Sequence, residues 1–212
     1  MCIEGEEGVG KTTQVSKLVT HLRDKGFRVL QTKEPGIEAL PLTMALRKIM
    51  LDNQYDNQIT QVAREFVSQA IRSIHLEKLV YPALKGDEYD FVIQDRGIMS
   101  GLAYGHACGN DIEWLSGLAN DVCGQHVDPF ELYDSVVYLT GDVKAGLRRA
   151  LDCKQEFEAG DAMEARGNTF MDNVSNNFSK LSQWFNTDTI IVDGKTIDEV
   201  FTEILTVLKI DK

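Results

Sequence analysis

The sequence predicts an α/β domain in which a parallel sheet of about five strands carries helices on both faces. Two observations lead to this prediction. Short apolar runs alternate along the chain with longer segments of helical period, and a glycine-rich turn joins the first apolar run to the first helix. The chain has 212 residues, of which 43 % are apolar, which is enough for one hydrophobic core. Because no stretch of linker composition divides the chain, we predict a single domain over residues 1–212.

Strands and helices alternate through the first half of the chain. Apolar residues recur with a helical period between Val15 and Leu22, and Gly26 ends that helix. A longer amphipathic segment ends near Pro82, and the apolar run after it is typical of a buried parallel strand. The first strand is short, so either the sheet tolerates its length or the natural chain begins earlier. The predicted elements are strands over 1–4, 27–32 and 90–94 and helices over 12–25, 40–51 and 61–81.

The second half repeats the alternation. The run Val-Val-Tyr-Leu within 135–139 predicts a strand, and the final strand and helix follow near the end of the chain. Ala159 and Gly160 separate two long helical segments. The predicted elements are helices over 99–108, 110–124, 143–157, 163–185 and 197–208 and strands over 135–139 and 189–192.

Charge and cysteine content limit the possible partners. The formal net charge of −11 argues against binding nucleic acid or an anionic membrane surface, because such proteins are usually basic. A small phosphorylated ligand can still bind where a few cations are gathered in one cleft. No apolar stretch approaches the ~18–20 residues of a membrane span, and no signal peptide is evident. The four cysteines form no CxxC motif, so we expect reduced thiols and a cytoplasmic location.

The glycine-rich turn matches a phosphate-binding loop. Residues 5–12 read Gly-Glu-Glu-Gly-Val-Gly-Lys-Thr and fit G-x-x-x-x-G-K-[ST] in full, between a strand and a helix. Its backbone N–H groups bind phosphate oxygens, Lys11 bridges the β- and γ-phosphates, and Thr12 ligates Mg²⁺. A GTPase is disfavoured because the N-K-x-D motif is absent. We assign binding of the nucleotide phosphates in this loop to Glu6, Gly8, Val9, Gly10, Lys11, Thr12 and Thr13; the family resemblance described below identifies the nucleotide as ATP.

A second polar motif follows the strand over 90–94. Asp95 and Arg96 come at its carboxyl end, which in a parallel sheet lies beside the phosphate loop. Asp95 can hold Mg²⁺ through water, and Arg96 can hold an acceptor phosphate through two hydrogen bonds. A surface ion pair is the plainer alternative.

Together these motifs resemble the thymidylate kinase family over nearly the whole chain. The resemblance rests on residues 3–14, the Glu-Pro-Gly at 34–36, Asp95-Arg96 with Ser100, Ala103 and Tyr104, the strand over 136–139, and 161–164 with Phe170. It implies a three-layer P-loop NTPase fold and a homodimer. It also implies Mg²⁺, ATP as the phosphoryl donor and dTMP as the acceptor, in nucleotide biosynthesis.

The resemblance also implies roles for individual acceptor-side residues. Arg96 and Arg47 correspond to arginines on the dTMP phosphate, and Glu7 to a carboxylate facing the sugar. Arg72 corresponds to an arginine against thymine. Tyr104 corresponds to a ring that excludes a ribose 2′-OH, and Ser100 to a residue near the base. For each of these residues an ordinary solvated or packing role is the alternative.

Two regions depart from the family pattern. Family members usually carry a phenylalanine that stacks on thymine four residues before the base-reading arginine, where this chain has Ser68. Phe66 takes over that contact through a register shift, or the contact is lost. In the predicted flap, about 143–166, the stretch 151–162 has only Lys154 where the family has arginines. Arg149 is our first candidate for the catalytic cation, before Lys154 and Arg166, and Arg148 is assigned to ATP. Arg148 also fits a surface pair with Asp152.

Two other functions remain open at this point. Ser68 and the altered flap favour a kinase of broader deoxynucleoside monophosphate specificity. The lack of the family's arginines in the flap also fits a nucleotide-binding regulatory protein without phosphoryl transfer. The presence of Lys11, Thr12, Asp95 and Arg96 disfavours that alternative. Catalysis is assigned to Lys11, Asp95, Arg96 and Arg149, and the metal to Thr12 and Asp95.

Overall fold

The structure is a computed structural model that describes residues 1–124, 128–142 and 162–210. Five parallel strands form one sheet in the order β2-β3-β1-β4-β5. This confirms the predicted α/β class and the predicted five-stranded parallel sheet. The strands are β1 (Cys2–Gly5), β2 (Val29–Lys33), β3 (Phe91–Asp95), β4 (Val136–Thr140) and β5 (Asp188–Ile191).

β1 lies at the centre of the sheet despite its four residues. Ile3 pairs with Asp95 of β3 on one side and with Val137 of β4 on the other. Because all strands are parallel, the segments that follow β1 and β3 leave the sheet at the same edge. The register therefore places the glycine-rich turn after Gly5 beside Asp95 and Arg96.

Eight α-helices connect or follow the strands within the described ranges. Their apolar stripes face the sheet or one another, as the helical spacing of their apolar residues requires. They are α1 (Lys11–Asp24), α2 (Pro41–Leu51), α3 (Gln61–His75), α4 (Tyr81–Lys85), α5 (Ile98–Ala107), α6 (Ile112–Cys123), α7 (Asn168–Trp184) and α8 (Ile197–Leu208).

Two apolar cores lie on opposite faces of the sheet. On one face, Leu18 of α1 and Ile204 of α8 pack with Ile3 of β1 and are fully or almost fully buried. On the other, Leu102 of α5 and Phe178 of α7 pack in a core that also takes residues from α2, α3 and α6. Helices on both faces complete the three-layer arrangement that was predicted.

The ends of a helix agree with those predicted from the sequence where a capping motif determines them. α8 spans the predicted residues, and Thr196 begins it with a capping box in which Glu199 reaches back to the Thr196 backbone. No helix in the three described ranges is long and apolar enough to cross a bilayer.

The structure differs from the prediction at Pro82 and Gly167. A π-helical segment, Leu76–Val80, follows α3, and α4 then carries Pro82 in its first turn, where no backbone donor is needed. The chain therefore stays helical past the predicted end. The single helix predicted over 163–185 is divided into a 3₁₀ turn, Glu164–Arg166, and α7, because Gly167 adopts φ of 81°.

We predict that Leu18→Ala lowers the free energy of unfolding by about 2–5 kcal/mol, because it removes a fully buried side chain and leaves a cavity. Urea denaturation followed by circular dichroism measures the change. The matched control, Leu42→Ala, truncates a side chain that is 60 % exposed on α2 and is expected to cost about 0.5 kcal/mol or less. Equal losses in the two variants would contradict the placement of α1 against the sheet.

Candidate functional site

The turn between β1 and α1 is shaped by its glycines. Gly5 has φ of 147°, and a Cβ at this position would overlap the Leu139 carbonyl oxygen of β4. Gly10 has φ of 92° and immediately precedes α1, so the loop turns sharply into the helix N-terminus. Lys11 folds back and its Nζ donates to the Glu6 carbonyl. These features give the backbone and the lysine the arrangement of a phosphate-binding loop.

Thr12 and Asp95 meet at the mouth of this loop. The Thr12 Oγ1 hydroxyl donates to Asp95 Oδ2 over 2.6 Å. The second carboxylate oxygen, Oδ1, is buried and has no hydrogen-bond partner among the described residues. A hydroxyl beside a carboxylate with an unused oxygen is a donor set that suits Mg²⁺. The described residues contain no cluster of three or more metal-ligating side chains, so such an ion would also need oxygens from nucleotide or water.

Arg96 links the loop to helix α5. It follows β3 with φ of 61°, an uncommon backbone conformation for a residue other than glycine. Its guanidinium donates to the Gly5 carbonyl over 3.1 Å, to Ser100 Oγ over 3.3 Å and to Glu7 Oε2 over 2.5 Å. It also lies 5.4 Å from the centre of the Tyr104 ring. Arg96 is therefore fixed in orientation by both the loop and α5.

The position of Arg96 and α5 depends on Glu4, a residue that the sequence did not single out. The Glu4 carboxylate is fully buried and accepts from the Gly97 N–H over 2.8 Å and the Ser100 N–H over 3.2 Å, as well as from the Ser100 hydroxyl. Burial raises the pKa of Glu4, and the hydrogen bonds from Ser100 oppose that rise. Glu4 thus ties the end of β1 to the first turn of α5.

Arg72 of α3 is held in a buried network. It is 2 % exposed, and it donates to Glu34 over 3.0 Å, to Gln69 over 3.1 Å and to the Gly97 carbonyl over 3.4 Å. A Cβ at Gly101 would lie 2.5 Å from its Nη2, so a larger residue there would have to displace the guanidinium. The alternative of a solvent-facing Arg72 is wrong.

Glu34 balances the charge of Arg72. Burial alone would raise the pKa of Glu34, but Arg72 and His75 outweigh burial and lower it to about 2. The carboxylate stays ionised at neutral pH and keeps the guanidinium in place.

One cavity of about 850 Å³ joins the two halves of the site. The loop and helix α1 line one end, and α3, α5 and Arg47 of α2 line the other. Arg47 donates to the Pro35 carbonyl over 2.9 Å. The sequence-assigned residues that line this cavity are Glu7, Gly8, Val9, Gly10, Lys11, Thr12, Thr13, Arg47, Arg72, Asp95, Arg96, Ser100 and Tyr104.

Among the assigned residues that the structure describes, two do not line the cavity. The Glu6 carboxylate points into the interior, where Tyr138 donates to it over 2.6 Å and Ser175 over 2.9 Å. Phe66 is 53 % exposed and packs edge-on against Trp114 of α6 at 5.9 Å. The register shift that would bring Phe66 to the base is therefore not present, because α3 turns residues 66 and 68 to different faces and Ser68 lines the cavity instead.

The candidate flap residues fall mainly outside the described ranges. Arg148, Arg149 and Lys154 lie in 143–161, which the structure does not describe. Arg166 is described, and it lies 3.5 Å from Asp56 and 5.3 Å from the Phe170 ring centre. It does not line the cavity in this arrangement.

Burial gives Lys11 an unusual pKa. Desolvation, followed by the nearby charge of Arg96, lowers the pKa of Lys11 to about 8, although Glu7 and Asp95 oppose this. The lysine is 5 % exposed. Its charge is therefore poorly compensated until an anion arrives, and bound phosphate would favour the protonated form.

The chain is similar to proteins of known family. The family model described as thymidylate kinase matches residues 3–204. A thymidylate kinase of Geotalea daltonii is 34 % identical over 208 residues, covering 96 % of this chain and 92 % of the relative. One from Thermosipho africanus is 33 % identical over 211 residues, covering 99 % and 96 %, and a probable thymidylate kinase of Thermococcus gammatolerans is 31 % identical, covering 96 % and 92 %.

We predict that affinity for a non-hydrolysable ATP analogue falls as pH rises through about 8, because the Lys11 amine loses the proton that binds phosphate. The dissociation constant is expected to rise about tenfold between pH 7 and pH 9. Calorimetry at constant ionic strength measures it. Lys11→Met is expected to bind weakly with little pH dependence over this range. A wild-type affinity that stays constant to pH 9 would contradict the assignment.

Proposed function

Because the chain belongs to the thymidylate kinase family, we propose that it transfers the γ-phosphoryl group of ATP to dTMP and forms dTDP for dTTP synthesis. The observation that supports this most directly is the shared cavity, which is lined both by the phosphate loop and by Arg47, Arg72 and Arg96. The loop suits a nucleoside triphosphate, and the arginines suit a second, phosphorylated ligand. Such an arrangement holds donor and acceptor in one enclosure, as phosphoryl transfer in line requires.

On the donor side, the loop backbone and Lys11 bind the β- and γ-phosphates in this proposal. Thr12 and Asp95 would hold Mg²⁺, which when bound neutralises charge between the phosphates. Thr13 and the loop residues Gly8, Val9 and Gly10 complete the phosphate contacts, and Glu6 contributes only its backbone because its side chain is buried elsewhere. Arg148 and Arg149 are proposed as the flap cations on the resemblance alone.

On the acceptor side, Arg96 and Arg47 bind the phosphate of dTMP. Glu7 holds the Arg96 guanidinium in place and faces the sugar, while Tyr104 stacks over Arg96 and narrows the space beside the sugar. Arg72 and Ser100 lie next to the base. The acceptor phosphate is anionic at neutral pH, so no side chain has to remove a proton from it. Catalysis in this proposal comes from positioning and from charge stabilisation at the transferring group.

A homodimer and a cytoplasmic location are part of the proposal. On α3, Val62 is 49 % exposed and Phe66 53 %, and Phe66 packs against Trp114 of α6. An apolar surface shared by two helices supports a contact with a second copy. The cysteines at positions 2, 108 and 123 are free thiols, which suits a reducing compartment.

We predict that dTMP gives the highest kcat/KM among dTMP, dUMP, dGMP, dCMP, dAMP and UMP with ATP and Mg²⁺, measured by coupled ADP release. Asp95→Asn is expected to lower kcat at least about a hundredfold, because it weakens the metal site. Asp24→Asn on the exposed side of α1 serves as the control and should match the wild type.

The same panel distinguishes the alternatives. Comparable rates with several bases would favour a broader deoxynucleoside monophosphate kinase, since Ser68 leaves the base without an aromatic partner. Nucleotide binding without turnover of any monophosphate would favour a regulatory protein and would contradict the proposed activity.

We predict that the protein is a dimer in solution and that Phe66→Glu makes it monomeric, because a charge would enter the apolar surface of α3 and α6. Light scattering after size-exclusion chromatography measures the mass. Leu84→Glu changes an equally exposed side chain on α4, 55 % exposed, and should leave the mass unchanged. A monomeric wild type at micromolar concentration would contradict the dimer.

A further inference from the structure

The Glu6 side chain anchors the phosphate loop to elements outside the cavity. It is fully buried, and its Oε1 accepts from the Tyr138 hydroxyl over 2.6 Å, the Thr140 hydroxyl over 3.2 Å and the Ser175 hydroxyl over 2.9 Å. Tyr138 and Thr140 belong to β4, and Ser175 belongs to α7. The described walls of the cavity include none of these four residues. One carboxylate oxygen thus connects the loop to a strand and to a helix that bind no ligand themselves.

The same residue holds Lys11 through its backbone. Lys11 Nζ donates to the Glu6 carbonyl, and Lys11 lines the cavity. Gly5 directly precedes Glu6, and Gly8 follows two residues later with φ of 73°. Because glycine adopts many backbone conformations, the segment between the two glycines needs other contacts to keep one orientation. The Glu6 side chain supplies such contacts, so the position of the carbonyl that holds Lys11 depends on them.

The groups that donate to Glu6 are themselves fixed. The Tyr138 ring stacks on Phe178 of α7, with ring centres 5.7 Å apart and planes 11° from parallel. Burial, followed by the charge of Glu6, raises the pKa of Tyr138, so the phenol stays protonated at neutral pH and donates. Asn177 of α7 donates to a backbone carbonyl of α5 over 3.0 Å. The helix that carries Ser175 is therefore held against both β4 and α5.

Stability does not account for a glutamate at this position. Its Oε2 is buried and has no hydrogen-bond partner among the described residues. Lys11 bonds to the Glu6 carbonyl instead of to the carboxylate. A buried carboxyl group that is only half satisfied is costly compared with an apolar side chain of similar size. Departures of this kind from the rules of packing are expected where a residue serves the function of a site.

We propose that Glu6 is a positioning residue for the phosphate loop. Its carboxylate, held by Tyr138, Thr140 and Ser175, fixes the Glu6 carbonyl that binds Lys11, and so orients Lys11 and the loop backbone for the triphosphate. This rests on the proposed binding of ATP by the loop and adds the group that prepares the loop for it. Glu6 touches neither ligand and acts through Lys11.

The test measures the dissociation constant of a non-hydrolysable ATP analogue by calorimetry. In Glu6→Ala it is expected to rise at least about tenfold, because the loop loses its anchor. In Glu6→Gln it is expected to stay within about twofold of the wild type, since the amide oxygen can accept the bonds that Oε1 accepts. Ser175→Ala, which removes one donor, is expected to raise it about threefold. The control is Ser182→Ala, because Ser182 Oγ bonds only to the Ser179 carbonyl within α7, and it should match the wild type.

Two further measurements separate positioning from a general loss of stability. The double variant Glu6→Ala/Ser175→Ala is expected to bind the analogue no more weakly than Glu6→Ala alone, because both changes break the same contact. Asn177→Ala removes a buried hydrogen bond of α7 that does not reach the loop. It is expected to lower the free energy of unfolding and to leave the affinity for the analogue unchanged.

The outcomes decide the proposal separately from the kinase assignment. The expected pattern of affinities supports the positioning role even where no monophosphate is turned over, a result that would overturn only the kinase assignment. Turnover of dTMP together with unchanged analogue affinity in Ser175→Ala overturns the positioning role, and it does so even if Glu6→Ala does not fold. Equal changes in Glu6→Gln and Glu6→Ala also overturn it, because the carboxylate would then act through its charge. A wild type that does not bind the analogue overturns both.

Discussion

The parallel pairing of β1 with β3 is the contact on which the site depends. It sets Ile3 opposite Asp95, so the turn after Gly5 and the pair Asp95-Arg96 leave the sheet side by side. The Thr12–Asp95 hydrogen bond and the Arg96–Gly5 contact both follow from that register. A slip of one residue would turn Asp95 to the other face of the sheet, because side chains alternate along a strand. The register of two short strands thus determines whether the donor and acceptor ends can share a cavity.

Two buried carboxyl groups connect the strand ends to the helices. Glu4 at the end of β1 binds the first turn of α5, and Glu34 after β2 binds Arg72 of α3. Removing ions from water is costly, so a buried pair adds little net stability compared with apolar packing. Here each carboxyl group accepts several hydrogen bonds that apolar side chains could not make. Through these bonds, each carboxyl group connects the end of one strand to one helix and fixes the orientation of that helix. The consequence is a rigid frame in which Arg96 and Arg72 are oriented before any ligand binds.

The sequence predicted those features that local signals determine. The phosphate loop, the alternation of strands with helices and the ends of α8 depend on neighbouring residues, and the structure agrees with them. Glu4 and Glu34 were not recognised as positioning residues because their partners are 93 and 38 residues away in the chain. Phe66 was placed near the base from its type and approximate position, whereas the helix turns it towards Trp114. The angular position of a residue around the helix axis determines which side of the helix its side chain faces. Residues 66 and 68 differ by about 200° around the axis of α3, so they face different sides.

The two arginines Arg96 and Arg72 are already paired within the protein. The Arg96 guanidinium is held by Gly5 and Glu7, and the Arg72 guanidinium by Glu34 and Gln69. A ligand that reaches these groups therefore meets side chains already fixed in orientation, which lowers the cost of ordering them on binding. Selection by such a site depends on shape and on the geometry of its hydrogen bonds, because a ligand that leaves a buried group unpaired loses the free energy of that bond.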